Sequence, residues 1–331
     1  MNSSRFRGLG LAVAAAVIVA ACSSSAATPT AAPATPAPAT AAPATPAPAT
    51  PAPATAAPAT PTPAVTPAPV AVATVPADQL VVSGRLTVCS DIPYPPQEFF
   101  DANGDPTGSD IDLGTEIAKR LGLKVSIENT VFDTIIAALQ GNKCDIVISA
   151  QNITADRLKQ VDMIPYFHAG QSFVVAKGNP SAIKTTDDLC GKSVGVENGT
   201  TEADHLNGTG DYKKNDGLSN KCVAAGKAKI DVQPFAKDSD ALLALQSGKV
   251  AAYFTDSPVA GYYVVQKPDL FENVSGLILD DVKEGISVGK DKTGLEASVK
   301  AALQSMLDDG TYVKILTKYG VQADAVTSLS Q

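Results

Sequence analysis

A few polar residues in this chain have the types and spacing of an ion-binding site. Arg157 follows Thr154 by three positions, so Thr154 can cap a helix that carries Arg157 in its first turn. A guanidinium placed there can give a two-pronged hydrogen bond to a carboxylate. Thr200 and Thr201 follow Gly199 at the start of a second helical stretch. Two helix openings expose backbone N–H groups, which suit an anion. Asp256 closes the apolar run from Val250 to Thr255 and supplies the opposite charge. Asp91 and the stretch Ser149 to Asn152 close two further apolar runs. Anion-receiving groups around Arg157 and the anionic Asp256 together describe a site for a zwitterion.

These residues need a scaffold of alternating strands and helices. Leu86 to Cys89 is a short apolar run ending in Ser90 and Asp91. Ile111, Ile117, Ala118 and Leu121 share one face of a helix over 110–121. Lys124 to Ile127 reads as a strand, and Phe132 to Gln140 as a helix closed by Gly141. Asp145 to Ser149 reads as a buried strand before the Thr154 cap. This order predicts a parallel sheet covered by helices on both faces. A second set follows: a strand over 193–197, a helix from Gly199-Thr200-Thr201, a helix over 238–246 and a strand over 250–255. Helices over about 295–308 and 311–319 complete the chain. In such sheets ligands bind beyond the carboxyl ends of the strands, where the polar residues above collect.

The 331-residue chain holds 26 Lys and Arg against 34 Asp and Glu, for a net charge of −8. An acidic chain without a basic patch is a poor partner for nucleic acid. Two isolated His, His168 and His205, make no His-rich metal site and read as structural or exposed. No metal, cofactor or catalytic residue is expected. Of the 24 Pro, 15 fall between Ser23 and Pro76, and no charged residue occurs between Arg7 and Asp78. Arg5, Arg7 and the short apolar stretch Leu9 to Ala21 read as an export signal, too short for a membrane span. Val19-Ala20-Ala21-Cys22 resembles a bacterial lipobox, with Cys22 as the lipidated residue. A lipid there would hold the chain on a membrane without a spanning helix. Residues 31–40 and 41–50 are identical repeats. Alternating Pro with small residues favours an extended, disordered tether rather than a core.

From residue 84 to about 320 the chain resembles the bacterial extracellular solute-binding protein family 3, the amino-acid receptors of ABC importers. The first carriers of the resemblance are the run Leu86 to Pro96 and Gly108-Ser109-Asp110-Ile111-Asp112-Leu113. Next come Ala138-Leu139-Gln140-Gly141, Cys144-Asp145-Ile146-Val147, Ile153-Thr154-Ala155-Asp156-Arg157 and Pro165-Tyr166. Further on are the run Asp188 to Val196, Gly199-Thr200-Thr201, the run Ala244 to Val250, Asp256-Ser257-Pro258 and Asp309-Gly310-Thr311-Tyr312. Each is weak alone; the ordered set is specific.

The resemblance implies an α/β, two-lobe periplasmic-binding-protein-like (type II) flytrap fold with a discontinuous first lobe, preceded by the disordered Pro/Ala/Thr tether. The expected segments are a signal peptide over 1–21, a linker over 22–77, lobe 1 over 79–175 plus 283–331, and lobe 2 over 176–282. Hinge strands would pass near Val174-Val175-Ala176 and near Asp281 to Ile286. By the same resemblance Arg157 grips a ligand α-carboxylate, assisted by Asn152, Thr200 and Thr201. Asp256 holds the α-ammonium with a carbonyl or hydroxyl from Ser149-Ala150. Asp91, Tyr94 and Phe132 contact the ligand side chain, and Glu197 stands where relatives vary with ligand. Asp91 with Glu197 would favour a cationic or amide side chain. The chain departs from the family pattern at Gln97-Glu98, where Phe usually follows the Pro pair. It also has Ser109 in place of an aromatic and Asn152 in place of Thr or Ser.

Four Cys remain after Cys22, and an even count in an exported chain argues for disulfides. Three connectivities are possible. Cys190–Cys222 and Cys89–Cys144 each keep the bridge inside one implied lobe. Cys89 ends its strand and Cys144 begins one, so in a parallel sheet that pair could lie too far apart, leaving two small buried thiols. The expected protein is an exported, lipid-anchored monomer on the outer face of a bacterial cell membrane. Its expected partners are an amino acid and the transmembrane subunits of an ABC permease. Two rivals remain: a dehydratase of a prephenate-like acid on the same fold, and a sensory receptor uncoupled from transport.

Overall fold

The computed structural model describes residues 74–212 and 216–330. The expected signal peptide, Cys22 and nearly all of the Pro/Ala/Thr tract lie outside the described residues. The last tract residues are already part of the body: Val75 is buried in the first core, and Gln79 accepts a hydrogen bond from the Leu295 N–H. The body therefore starts a few residues before the expected position 79.

In chain order the elements are β1 (Arg85–Ser90), β2 (Phe99–Phe100), β3 (Pro106–Thr107), α1 (Ser109–Arg120), β4 (Lys124–Asn129), α2 (Phe132–Gln140), β5 (Ile146–Val147) and α3 (Ala155–Leu158). Then come β6 (Val161–Ala176), β7 (Ser193–Glu197), α4 (Thr201–Asn207), α5 (Leu218–Ala224), β8 (Asp231–Phe235) and α6 (Asp238–Gln246). The chain continues through β9 (Ala252–Asp256), α7 (Ser257–Gln266), β10 (Phe271–Gly289), α8 (Thr293–Asp308) and α9 (Thr311–Lys318). One sheet of eight strands runs in the order β4-β1-β5-β10-β6-β9-β7-β8, and β2 pairs with β3 apart from it.

The helices follow local rules. α1 opens with Asp110 and Asp112, ends with Lys119 and Arg120, and buries Ile111, Leu113 and Ile117. Charges of those signs at those ends complement the helix dipole. Thr154 and Thr200 cap α3 and α4 through side-chain acceptors, as their spacing predicts.

The sheet departs from the all-parallel expectation. Its flanks are parallel, β4-β1-β5 on one side and β9-β7-β8 on the other. Its centre is antiparallel, because β6 and β10 cross from one half to the other in opposite directions. Neither was legible as one strand. β6 is broken in sequence by Pro165, His168 and Gly170, and β10 by Gly276 and a charged run. Where they cross, Gly170 leaves room for Ile278, whose Cγ2 would lie 2.4 Å from an added Cβ.

Each half of the sheet has its own apolar packing. Leu86, Val88, Ile286, Val288 and Met306 belong to one core; Phe173, Val175, Val194, Val196 and Phe254 belong to another. Full burial of such a side chain contributes about 1.5–3 kcal/mol relative to exposure. Near the expected crossing, Val174 and Val175 pack with the second half, and Gln171 to Val174 pair with β9. The crossing of β10 falls near Asp281, which pairs with Gly170.

Both expected disulfides are present, Cys89–Cys144 and Cys190–Cys222, with Cα separations of 5.7 and 5.5 Å. The distance objection to the first pair fails because β5 begins only at Ile146. Cys144 lies in the incoming loop rather than in the ladder.

Candidate functional site

All eleven residues expected to face a ligand line one cavity: Asp91, Tyr94, Phe132, Ser149, Ala150, Asn152, Arg157, Glu197, Thr200, Thr201 and Asp256. Glu98 and Glu202 complete its wall. Strand ends place these groups. Asp91 follows β1, Ser149 and Ala150 follow β5, Glu197 ends β7 and Asp256 ends β9. The cavity lies where the carboxyl ends of the two parallel flanks meet.

One end of the cavity is built around Arg157. Its guanidinium donates to the Asn152 carbonyl at 2.8 Å and to the Gly199 carbonyl at 3.1 Å, and lies 5.3 Å from the centre of the Phe132 ring. Those bonds hold the fork in place. Gly199 has φ +77° and approaches Asp133 so closely that a Cβ would fall 2.9 Å from the Asp133 Cα. Asn152 donates to Thr201 Oγ1 at 2.6 Å, tying β5's loop to α4. The two helix openings contribute less than their sequence promised. α3 spans four residues and α4 seven, with their caps taken up by Thr154 and Thr200. The guanidinium is the cationic group among the described residues that line the cavity.

A second end of the cavity is built around Asp256. Tyr94 donates its hydroxyl to Asp256 Oδ2 at 2.7 Å and accepts from the Asp256 N–H at 3.2 Å. The Asp256 carboxyl hydrogen-bonds that of Glu202, and Asp256 Oδ1 has no nitrogen or hydroxyl donor among the described residues. Burial raises the Asp256 carboxyl well above the usual range, and Glu202 and Glu284 raise it further. Burial also raises Glu202 and lowers Arg157 from its ordinary value.

At the third end Asp91 is fully engaged. Its Oδ2 accepts from the Phe132 N–H at 2.6 Å, and its Oδ1 accepts from the Lys237 ammonium. Glu197 accepts from the Asp238 N–H at 3.1 Å, and burial, Asp238 and Asp91 all push its carboxyl well up. Beneath the cavity Ser149 donates to Glu98 at 2.7 Å, while Asp110, Tyr166, Gln97 and Glu284 form a buried polar layer. The departures at Gln97 and Ser109 belong to this layer: both are fully buried, and Gln97 Nε2 donates to Glu284.

Sequence reasoning missed Glu98, Glu202, Lys237 and Asp238. Glu202 follows the Thr pair and Glu98 sits in the noted Gln97-Glu98 departure, so both had a weak local signal. Lys237 and Asp238 had none, because nothing local tells a loop charge that it faces Asp91.

A mixed sheet in two halves, with a buried ionic cavity between its flanks, defines a protein that encloses a small charged molecule. The family assignment agrees. Residues 86–322 match the model for bacterial extracellular solute-binding proteins, family 3, and the chain belongs to that family. It is 30% identical over 258 residues to the lysine/arginine/ornithine-binding periplasmic protein of Escherichia coli, covering 76% of this chain and 93% of that one. Among solved structures, an ancestral arginine-binding protein bound to arginine is 42% identical with a TM-score of 0.63. That match covers 72% of this chain and 98% of the other. An ancestral amino acid-binding protein, a precursor of cyclohexadienyl dehydratase, is 36% identical with a TM-score of 0.60, covering 71% and 95%.

Proposed function

We propose that this protein is the substrate-binding receptor of an ABC importer and encloses one polar or cationic amino acid between two lobes. The observation that carries this reading is the placing of the Arg157 guanidinium and the buried Asp256–Glu202 carboxyl pair on one cavity. A guanidinium for the α-carboxylate and an acidic group for the α-ammonium match a zwitterion. Asn152, Thr200 and Thr201 assist at the carboxylate. Asp91, Tyr94, Phe132 and Glu197 line the side-chain end. Lobe 1 runs to about Gly170 and resumes near Asp281, and lobe 2 lies between them. Closure about the crossing of β6 and β10 removes water from both charged ends and strengthens their bonds. The receptor needs no covalent chemistry. It acts as an exported monomer, held at the membrane surface by a lipid on Cys22 and spaced from it by the Pro/Ala/Thr tract. It delivers the ligand to the permease.

The test is thermal shift of the full chain, unfolded and refolded to remove carried-over ligand, against the common amino acids and several organic acids. A ligand at 100 times its Kd adds about 2.7 kcal/mol of stability. One group of amino acids should raise Tm, and Arg157→Ala or Asp256→Ala should remove the shift. A shift with a prephenate-like acid and none with amino acids would place the protein with the dehydratases.

A further inference from the structure

We infer that Lys237 is a specificity-determining residue: its ammonium neutralises Asp91 at the side-chain end of the cavity and so disfavours cationic amino acids relative to uncharged polar ones. This rests on the amino-acid reading of the same cavity. The bond joins two halves of the sheet, since Asp91 follows β1 and Lys237 immediately precedes α6. The ammonium has further acceptors on the Asp91 side, the Ile92 carbonyl at 3.4 Å and Asn129 Oδ1 at 3.3 Å. Asn129 is itself fixed, accepting from the Ile92 N–H at 3.1 Å and donating to the Ile92 carbonyl at 3.2 Å. Lys237 thus occupies a ready-made cation seat of three oxygens.

Asp91 is 4% exposed and its two oxygens are both taken, one by Lys237 and one by the Phe132 N–H. A ligand ammonium or guanidinium reaching this end must displace Lys237 or share Asp91 with it. Like charges at that distance repel, and desolvation makes the repulsion stronger. Glu197 offers no second free anion, because burial and its acidic neighbours hold its carboxyl toward the protonated form. The Glu197 carboxyl is itself hydrogen-bonded to Asp91. An uncharged amide or hydroxyl side chain at this end meets no repulsion from Lys237. The acids lining the cavity would by themselves select a cation; Lys237 reverses that bias at the side-chain end.

The experiment is isothermal titration of arginine and glutamine into the full-length protein, its Lys237→Met variant and its Lys237→Arg variant. Removing the charge should improve arginine binding relative to glutamine by at least 10-fold. Lys237→Arg keeps a cation on Asp91 and should keep the wild-type ratio. A merely structural role would weaken both ligands together and leave the ratio alone. A Met-variant ratio within 2-fold of wild type, or a change toward glutamine, overturns the inference while the receptor reading stands. If no amino acid binds the wild-type protein, the receptor reading fails and takes this inference with it.

Discussion

Ligand binding should expel a proton from Asp256. Without ligand the carboxyl is buried, lies beside Glu202 and shares a hydrogen bond with it. Each of these favours the neutral form. An α-ammonium arriving at Oδ1 reverses the balance, because an opposite charge at hydrogen-bond distance favours the carboxylate. The ligand thus binds the ionised form and lowers the pKa of the group it meets. Below the empty-site pKa of Asp256, each pH unit then changes the association constant by up to tenfold, or about 1.4 kcal/mol. The sign is fixed: affinity rises with pH and levels off once the empty site is already ionised. Calorimetric titrations at one pH, in two buffers of different ionisation enthalpy, count that proton directly. Asp256→Asn removes the proton and the charge together, so the buffer dependence should vanish. Binding should weaken by about 2–3 kcal/mol, the size of a lost charged hydrogen bond. The reasoning is refuted if wild-type heats agree in both buffers and affinity is flat from pH 5 to 7 while Asp256→Asn still destroys binding.

Three other outcomes are expected. Arg157→Met should weaken amino-acid binding by about 3 kcal/mol or more through loss of the carboxylate fork, more than the loss in urea unfolding from its bonds to the Asn152 and Gly199 carbonyls; equal losses in binding and stability would make Arg157 a structural residue. Asp238, 2% exposed, has its carboxyl raised from 3.8 to about 7 by burial. Its folded value exceeds its unfolded one, so its stability contribution is complete below pH 4 and is lost as pH rises toward 7. That loss is on the order of 4 kcal/mol, and denaturant titrations across this range should show Asp238→Asn with a flatter profile; parallel profiles would contradict the assignment. Opening Cys190–Cys222, which spans 32 positions, should cost about 3–4 kcal/mol from restored freedom of the unfolded chain. Guanidinium melts of a Cys190→Ala, Cys222→Ala double variant would show it as a lower midpoint.

Local patterns along the chain were enough for much of the scaffold. Helices with a capping threonine or a closing glycine, such as α2 and α3, follow from residue type alone. So does the collection of Asp91, Ser149, Thr200 and Asp256 at strand ends, because a strand's apolar run must stop where it leaves the core. The family resemblance added Tyr94, Phe132 and Glu197 and the return of the chain to the first half, none of which periodicity reveals. β6 and β10 escaped notice because a strand crossing between two cores carries proline, glycine and charge where it is not buried.

The charge state of the site was decided by tertiary structure alone. Tyr94 and Asp256 are 162 positions apart, and Asp91 and Lys237 are 146 apart. A sequence shows which acids exist but not which oxygen is left without a donor once the halves meet. Burial supplies the rest: the same carboxylates that would be ordinary anions on a surface become proton holders when a closed cavity removes their water. Residue type thus determined that a zwitterion has groups to meet here, and packing determined which of those groups are free to meet it.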